Sequence, residues 1–194
     1  MMAALLIVGT ASGAEFGKER PVAIVTGSEQ EQPAIDGHIV AWSDNRSGNY
    51  DIFMYDLETG LEKWVCINPF FQLNPAVSAE RIVWQDMRSG NGDVYMYDVV
   101  NRTESAITVA PGNQTQPDIS GERVVWSDDR DGIYKIHLYD LRSKKEQTLP
   151  SGKGEEIEPK VDGDRVVWMD KRSGDFDVYL YDIPSGKELA LATG

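Results

Sequence analysis

The sequence predicts an all-β fold: a β-propeller of four-stranded antiparallel blades, with four 42-residue repeats forming an incomplete, open ring. Three observations predict it. Trp42, Trp84, Trp126 and Trp168 recur at an interval of 42 residues, and Pro33, Pro75, Pro117 and Pro159 keep the same interval. Each repeat divides into four strand-like runs, which is the arithmetic of a propeller blade. The second run of each repeat is apolar on both faces. In RIVWQD, Ile82 and Trp84 point one way and Val83 the other, as a sheet covered on both sides requires.

The first run is short and follows the proline: PAID, PAVS, PDIS and PKVD. The second is HIVAWSD, ERIVWQD, ERVVWSD or DRVVWMD, and the third is DIFMYD, DVYMYD, KIHLYD or DVYLYD. Val, Ile, Tyr and Trp dominate both, as pleated structure favours. The fourth run is more polar (KWVCI, ESAITV, KEQTL, KELALA), as suits an outer rim. Gly, Asn, Asp and Ser punctuate the joins, and no stretch has helical periodicity. The blades are expected at about 32–73, 74–115, 116–157 and 158–194.

Ahead of them, residues 1–14 combine an apolar run, Ala3 to Val8, with the small residues Ser12-Gly13-Ala14. They read as a signal peptide truncated of its basic n-region, with propeller repeats over 15–194. Residues 20–27 (RPVAIVTG) match the last fourth strand (ELALATG, 188–194), so they are expected to form an orphan outer strand. On that reading further repeats follow Gly194, the last of them takes up residues 20–27, and the four repeats form an open arc that self-associates through its uncovered blades.

Lys and Arg total 19 against 32 Asp and Glu, a net charge of −13. Such a surface repels phosphate backbones and anionic lipid, which argues against nucleic-acid and membrane-surface partners. No stretch is long enough to insert in a membrane as a helix. A single cysteine, Cys66, makes neither an intrachain disulfide nor a metal-ligand pattern. Asn45, Asn101 and Asn113 stand in N-x-S/T tripeptides.

The best-marked polar feature is the loop between second and third strands: DNRSGNYD, DMRSGNGD, DDRDGIYK and DKRSGDFD. It repeats Asp44, Asp86, Asp128 and Asp170, and with them Arg46, Arg88, Arg130 and Arg172. A role present in every blade points first to structure, with Asp accepting loop amides and Arg pairing with an acid. Asp44, Asn49 and Asp51, or Asp170, Asp175 and Asp177, offer oxygens for Ca²⁺. The arginine in each loop opposes this, so the expectation is no cofactor, no transition metal and at most weak Ca²⁺. The Trp column and the Tyr-Asp pairs read as core and turn. Of the two histidines, His38 and His137, neither recurs, and no G-x-S-x-G elbow is present, so no catalytic residue is assigned.

Departures from the repeat are where specificity would reside. Lys135 replaces Asp51, Asp93 and Asp177, and His137 replaces Phe53, Tyr95 and Tyr179; drift is the simplest account of both. The connection after repeat one carries Phe70-Phe71, where later ones read APGNQT and SGKGEEIE; two adjacent aromatics there either plug a neighbouring blade or mark a contact surface. Strand parity places that connection and the Asp/Arg/Gly loops on one side. The candidate binding face is therefore Phe70 and Phe71 with the four Asp–Arg pairs.

The pattern P-x-I-x-G-x-R-V-V-W-x-D-x-R-x-G-x-x-D-V-Y-x-Y-D-x-x-x-G resembles the repeats of TolB-like propellers, over residues 20–194. Such repeats occur in surface-layer and secreted binding scaffolds, in Tol-system periplasmic proteins and as accessory domains of hydrolases and lyases. The resemblance thus implies a secreted, periplasmic or cell-surface scaffold, non-enzymatic, with a protein or glycan partner at the cell envelope. The alternatives are the propeller domain of a polysaccharide- or peptide-processing enzyme, or a structural envelope component.

Overall fold

The computed structural model describes residues 21–150 and 152–192. Sixteen strands form four sheets. Blade one holds β1 (Gln30–Asp36), β2 (Ile39–Asp44), β3 (Asp51–Asp56) and β4 (Leu61–Cys66). Blade two holds β5 (Gln72–Ser78), β6 (Arg81–Asp86), β7 (Asp93–Asp98) and β8 (Thr103–Thr108). Blade three holds β9 (Gln114–Ser120), β10 (Arg123–Asp128), β11 (Lys135–Asp140) and β12 (Lys145–Thr148). Blade four holds β13 (Glu156–Asp162), β14 (Arg165–Asp170), β15 (Asp177–Asp182) and β16 (Lys187–Ala192). Within each blade the strands pair in sequence order, all antiparallel.

The first strands β1, β5, β9 and β13 lie side by side and line the axis. Each begins earlier than the proline-led run suggests, at Gln30, Gln72, Gln114 and Glu156. The expected starts at 32, 74, 116 and 158 fall on a bulge inside the strand. There Gln32, Asn74, Gln116 and Glu158 take left-handed backbone (φ 53°, 52°, 53° and 54°). Left-handed backbone costs a non-glycine residue about 1–2 kcal/mol, and side-chain bonds between blades offset it. Gln32 Nε2 donates to Asn74 Oδ1 and the Asn74 amide donates to Gln32 Oε1, both at 2.8 Å. The Glu158 amide donates to Gln116 Oε1 at 3.2 Å.

Three apolar cores join the blades in chain order. Between blades one and two, Ile39, Ile52, Met54 and Val65 meet Val77, Ile82 and Trp84. Val83 and Val94 meet Ile119, Val124 and Trp126 in the next joint, and Ile136, Leu138 and Leu149 meet Val161, Val166 and Trp168 in the last. The tryptophan of each later blade therefore faces its predecessor, and the opposite side of each earlier blade faces its successor. Both faces of the central blades are covered, which is why their second strands carry apolar residues on alternate and intervening positions alike. Among the described residues no such core joins blade four to blade one, so the arc is open.

Two expectations concern the N-terminal region. Residues 1–14, read as a signal peptide, lie outside the described residues, as does Arg20. Residues 21–28 carry no strand, unlike the expected orphan outer strand. The physical reason is a lack of partners. Each of the four third strands already pairs with its own fourth strand, leaving no third-strand edge among the described residues for that segment to join.

Candidate interaction face

The loop after each second strand is a small machine of five parts. In blade two the Trp84 indole Nε1 donates to Asp86 Oδ2 at 2.9 Å. The Arg88 backbone amide and Nε both donate to Asp86 Oδ1 at 2.9 Å, and Arg88 Nη2 reaches Oδ2 at 2.5 Å. Arg88 Nη1 then pairs with Glu104 at 2.6 Å, and its guanidinium lies 4.2 Å from the centroid of the Tyr95 ring. Blade one repeats this with Trp42, Asp44, Arg46, Glu62 and Phe53, and blade four with Trp168, Asp170, Arg172, Glu188 and Tyr179. A guanidinium sandwiched between two carboxylates and an aromatic face makes charge-assisted and cation–π contacts together.

Burial would push the Asp44, Asp128 and Asp170 carboxyls up. Bonds from the arginine of the same loop and from the Trp indole outweigh it and hold all three below the ordinary carboxylate value. Burial and its own Ser47 and Asn68 bonds act on Asp51, where burial wins and the carboxyl is pushed up. The arginines also cross the joint: Arg88 Nη2 donates to Cys66 Sγ of blade one at 3.0 Å, and Arg130 Nη2 to Thr108 of blade two at 3.4 Å. Burial pushes the Cys66 thiol up to about 12.

The structure thus brings Asp44, Asp86, Asp128 and Asp170 into buried sites where their oxygens already serve the Trp and Arg of the same blade. The fourth part, Glu62, Glu104, Glu146 and Glu188, is absent from the sequence expectation. Its signal was present: these glutamates also stand 42 residues apart.

Blade three varies the machine. His137 replaces the aromatic. It packs tilted against Trp126 (ring centroids 5.8 Å apart, interplanar angle 32°), and its two ring nitrogens meet Glu146 Oε1 at 2.8 Å and Thr148 Oγ1 at 3.2 Å. Asp128, His137 and Glu146 form a group with metal-ligand spacing. A cation already bridges it, because Arg130 Nη2 lies 2.5 Å from Asp128 and 2.9 Å from Glu146. In the blade-one loop weighed for Ca²⁺, the Asn49 amide is directed at the carbonyls of Asn68 and Phe70, while Asp51 accepts from Ser47 and from the Asn68 amide.

Those last bonds also show that the Asp/Arg/Gly loops and the fourth-to-first connections meet on one side. Asn91 repeats them with the carbonyls of Ala110 and Gly112. In blade three the counterpart of Asn49 and Asn91 is Ile133, and Lys135 takes over: its Nζ donates to the carbonyls of Gly152 (2.6 Å) and Gly154 (2.8 Å). The same ammonium pairs at 2.7 Å with Glu156, fully buried where Gln72 and Gln114 stand in the other joints. Drift does not describe Lys135: it is one member of a compensated set, Ile133, Lys135 and Glu156, which replaces Asn, Asp and Gln.

The connection after blade one departs without compensation. Where Gly112 and Gly154 press against the next blade, a Cβ would meet Asp129 Oδ1 at 2.3 Å or the Arg172 amide at 2.2 Å. The first connection has Phe70 at that repeat position, 49% exposed, followed by Phe71, 51% exposed and 6.4 Å from the Tyr50 ring. Two residues that escaped the sequence reading lie close by in the chain: Trp64, 70% exposed, and Ile67, 46% exposed. Trp64 is the one tryptophan off the 42-residue column, where the other repeats carry Ala106, Thr148 and Ala190. With Asn68, Arg88 and Glu104, Trp64 and Ile67 line a groove of about 500 Å³ at the rim between blades one and two. Contiguous exposed apolar surface with a polar border is the usual mark of an interaction site.

Fold and face together define an open β-propeller arc with an apolar patch on its first blade. The fold is that of TolB-like propellers. TolB from Acinetobacter baumannii superposes with a TM-score of 0.70 at 22% identity, over 85% of this chain and 44% of that one. A putative TolB from Agrobacterium tumefaciens gives 0.65 at 20% identity, over 80% and 61%. A Mycobacterium tuberculosis puromycin-hydrolyzing peptidase gives 0.69 at 15% identity, over 84% and 28%. The chain therefore spans less than two thirds of either TolB structure. No family model and no curated protein matches the sequence.

Proposed function

We propose that the chain is a non-enzymatic interaction scaffold, secreted, periplasmic or at the cell surface, whose partner is a protein or glycan of the cell envelope. The observation that carries this reading is a contrast of two residue classes in the first blade and the connection that follows it. The repeated Asp and Arg side chains are engaged within their own blade and, for Arg88 and Arg130, across the joint to the preceding one, whereas Trp64, Ile67, Phe70 and Phe71 stand exposed and are not repeated. Large aromatics beside an Arg and a Glu suit a peptide or a sugar face equally. The apolar run and small residues of 1–14 support export. Among the described residues no helix is long and apolar enough to cross a membrane. Both nitrogens of His137 are engaged within its own blade, which supports a role without general-base chemistry.

The experiment is retention of solubilised envelope proteins and envelope glycans on the immobilised chain. Replacing Phe70 and Phe71 by Ser should abolish retention while circular dichroism stays native. Unchanged retention would remove this face from the account. The second reading, a propeller domain serving a hydrolase, is supported by the likeness to the peptidase structure. It would be favoured if the retained partner were a catalytic domain whose turnover the chain alters.

A further inference from the structure

We propose that the rim of the joint between blades one and two takes up an extended acidic and apolar segment of a protein partner, added as a strand to the free edge of β4. The inference rests on the scaffold reading and narrows its partner to a peptide chain.

β4 is the last strand of its sheet and pairs with β3 alone, so one row of its amides and carbonyls is open. Two grooves follow that edge. One, of about 500 Å³, is lined by residues 64–68 with Arg88 and Glu104. The other, of about 460 Å³, is lined by residues 62–64 with Met54, Tyr97, Val99 and Arg102. Successive side chains of a strand point to opposite faces. Grooves lined by consecutive residues therefore run along the backbone edge, and Trp64 belongs to both.

The floor of the second groove is common to the joints. Met54, Tyr97 and Val99 recur as Met96, Tyr139 and Leu141 and as Leu138, Tyr181 and Ile183, each set packed in the core of its own joint. What lies above the floor is particular to this one. Lys63, Trp64 and Arg102 stand where the next joint has Ser105, Ala106 and Lys144, and the last has Gln147, Thr148 and Gly186. Lys63 is opposite Met54, on the flank turned to blade two, and Trp64 is opposite Phe53 on the other flank. Ala106, Thr148 and Ala190 are exposed although a preceding blade packs against each of their blades. The exposure of Trp64 thus belongs to its place on the outer strand.

The free polar groups favour a peptide over a sugar. A sugar is held through its hydroxyls by side chains with spare donors and acceptors, and here those are engaged. Asn68 bonds Cys66 Sγ and the Phe70 amide, Glu62 pairs with Arg46, and Arg88 pairs with Glu104. Lys63 and Arg102 make no ion pair among the described residues. Two cations, one exposed indole and a row of open backbone groups remain. An added strand uses all three: its backbone pairs with β4, and its alternate side chains fall on the two flanks. Acidic side chains meet Lys63 and Arg102 on one flank, and apolar ones meet Trp64 on the other. On a chain of net charge −13, these two cations give an acidic segment a local attraction that the surface at large does not.

The test is fluorescence anisotropy of a labelled peptide of about seven residues, alternating Leu and Asp, titrated with the full chain. Binding that weakens as salt is raised is expected, and none for the same peptide with Lys in place of Asp. N-methylation of alternate peptide amides should abolish binding in one frame and spare it in the other, because only one set faces β4. Trp64→Ala, Lys63→Glu and Arg102→Gln should each weaken binding about tenfold or more with circular dichroism unchanged, while Lys145→Glu on blade three should not. No peptide binding, binding indifferent to those three substitutions, or equal loss in both methylated frames would overturn the proposal. So would binding of alginate, a polyuronate, through Lys63 and Arg102 in place of the peptide. If envelope material is still retained on the chain in any of these cases, the scaffold reading stands and only the peptide is lost; if nothing is retained, the scaffold reading itself has failed.

Discussion

The joint between blades two and three and the joint between blades three and four have the same backbone geometry and different chemistry. The first uses a neutral amide, Asn91, to hold the carbonyls of Ala110 and Gly112, with Asp93 accepting the Ala110 amide and Gln114 buried beside it. The second uses one lysine for the same two carbonyl positions and gives it a buried glutamate as counter-charge. A joint, then, constrains where donors and acceptors sit, not which residue supplies them. Substitutions inside a joint must arrive in matched sets, because a buried carboxylate or ammonium left alone is strongly unfavourable. Substitutions that arrive singly, such as Trp64 and Phe70 in blade one, are free of that constraint, and those are the ones left exposed.

The comparison can be broken most forcefully at the apolar centre that all joints share. Trp84→Ala should cost about 3–5 kcal/mol, as other buried aromatic truncations do, and should loosen blade one along with blade two, read as a drop in the denaturation midpoint. An unchanged midpoint would mean that the joints are not held by the Trp column. Next, Lys135→Met should cost about 3 kcal/mol by stranding Glu156 in a buried site, and adding Glu156→Gln should recover most of it. Arg88→Ala comes lower, at about 1–3 kcal/mol, because the arginine is partly exposed although the carboxylate it serves is buried. Replacing Phe70 and Phe71 by Ser should change stability least, by less than about 0.5 kcal/mol; a loss comparable to Trp84→Ala would place the pair in the core instead.

Acid and base should act on different parts. Asp44, Asp128 and Asp170 have folded values below 3.8, so the stability they contribute is present above that pH and is lost as pH falls through their lowered values. Cys66 acts at the other end. Its folded value of about 12 lies above the ordinary 9.0, so the unfolded thiol ionises first and stability falls as pH climbs between the two. At pH 8 the native thiol should resist a disulfide reagent, and its reaction rate should report opening of the joint between blades one and two.

Most of the fold was legible in the sequence because a propeller repeats its constraints. Trp, Pro, Asp, Arg and Gly recur without insertion, and both faces of the second strand are apolar for a reason the structure bears out. The axial bulge was not legible, since Gln32, Asn74, Gln116 and Glu158 share only polarity and their left-handed backbone is held by bonds from another blade. The glutamate column was visible but overlooked in the weakly patterned fourth strand, where no apolar alternation frames it. The meaning of Lys135 needed three dimensions, because its partner Glu156 lies 21 residues away across a joint.

The central claim is that the repeated polar residues are joint chemistry governed by position. Converting the last joint to the chemistry of the others tests it most directly: Ile133→Asn, Lys135→Asp and Glu156→Gln made singly and together, with equilibrium unfolding of each. The account predicts that Lys135→Asp alone costs about 3 kcal/mol or more, because two carboxylates then share a buried site. It predicts that the triple replacement returns to within about 1 kcal/mol of the parent. A triple variant that loses the sum of its single changes would contradict it.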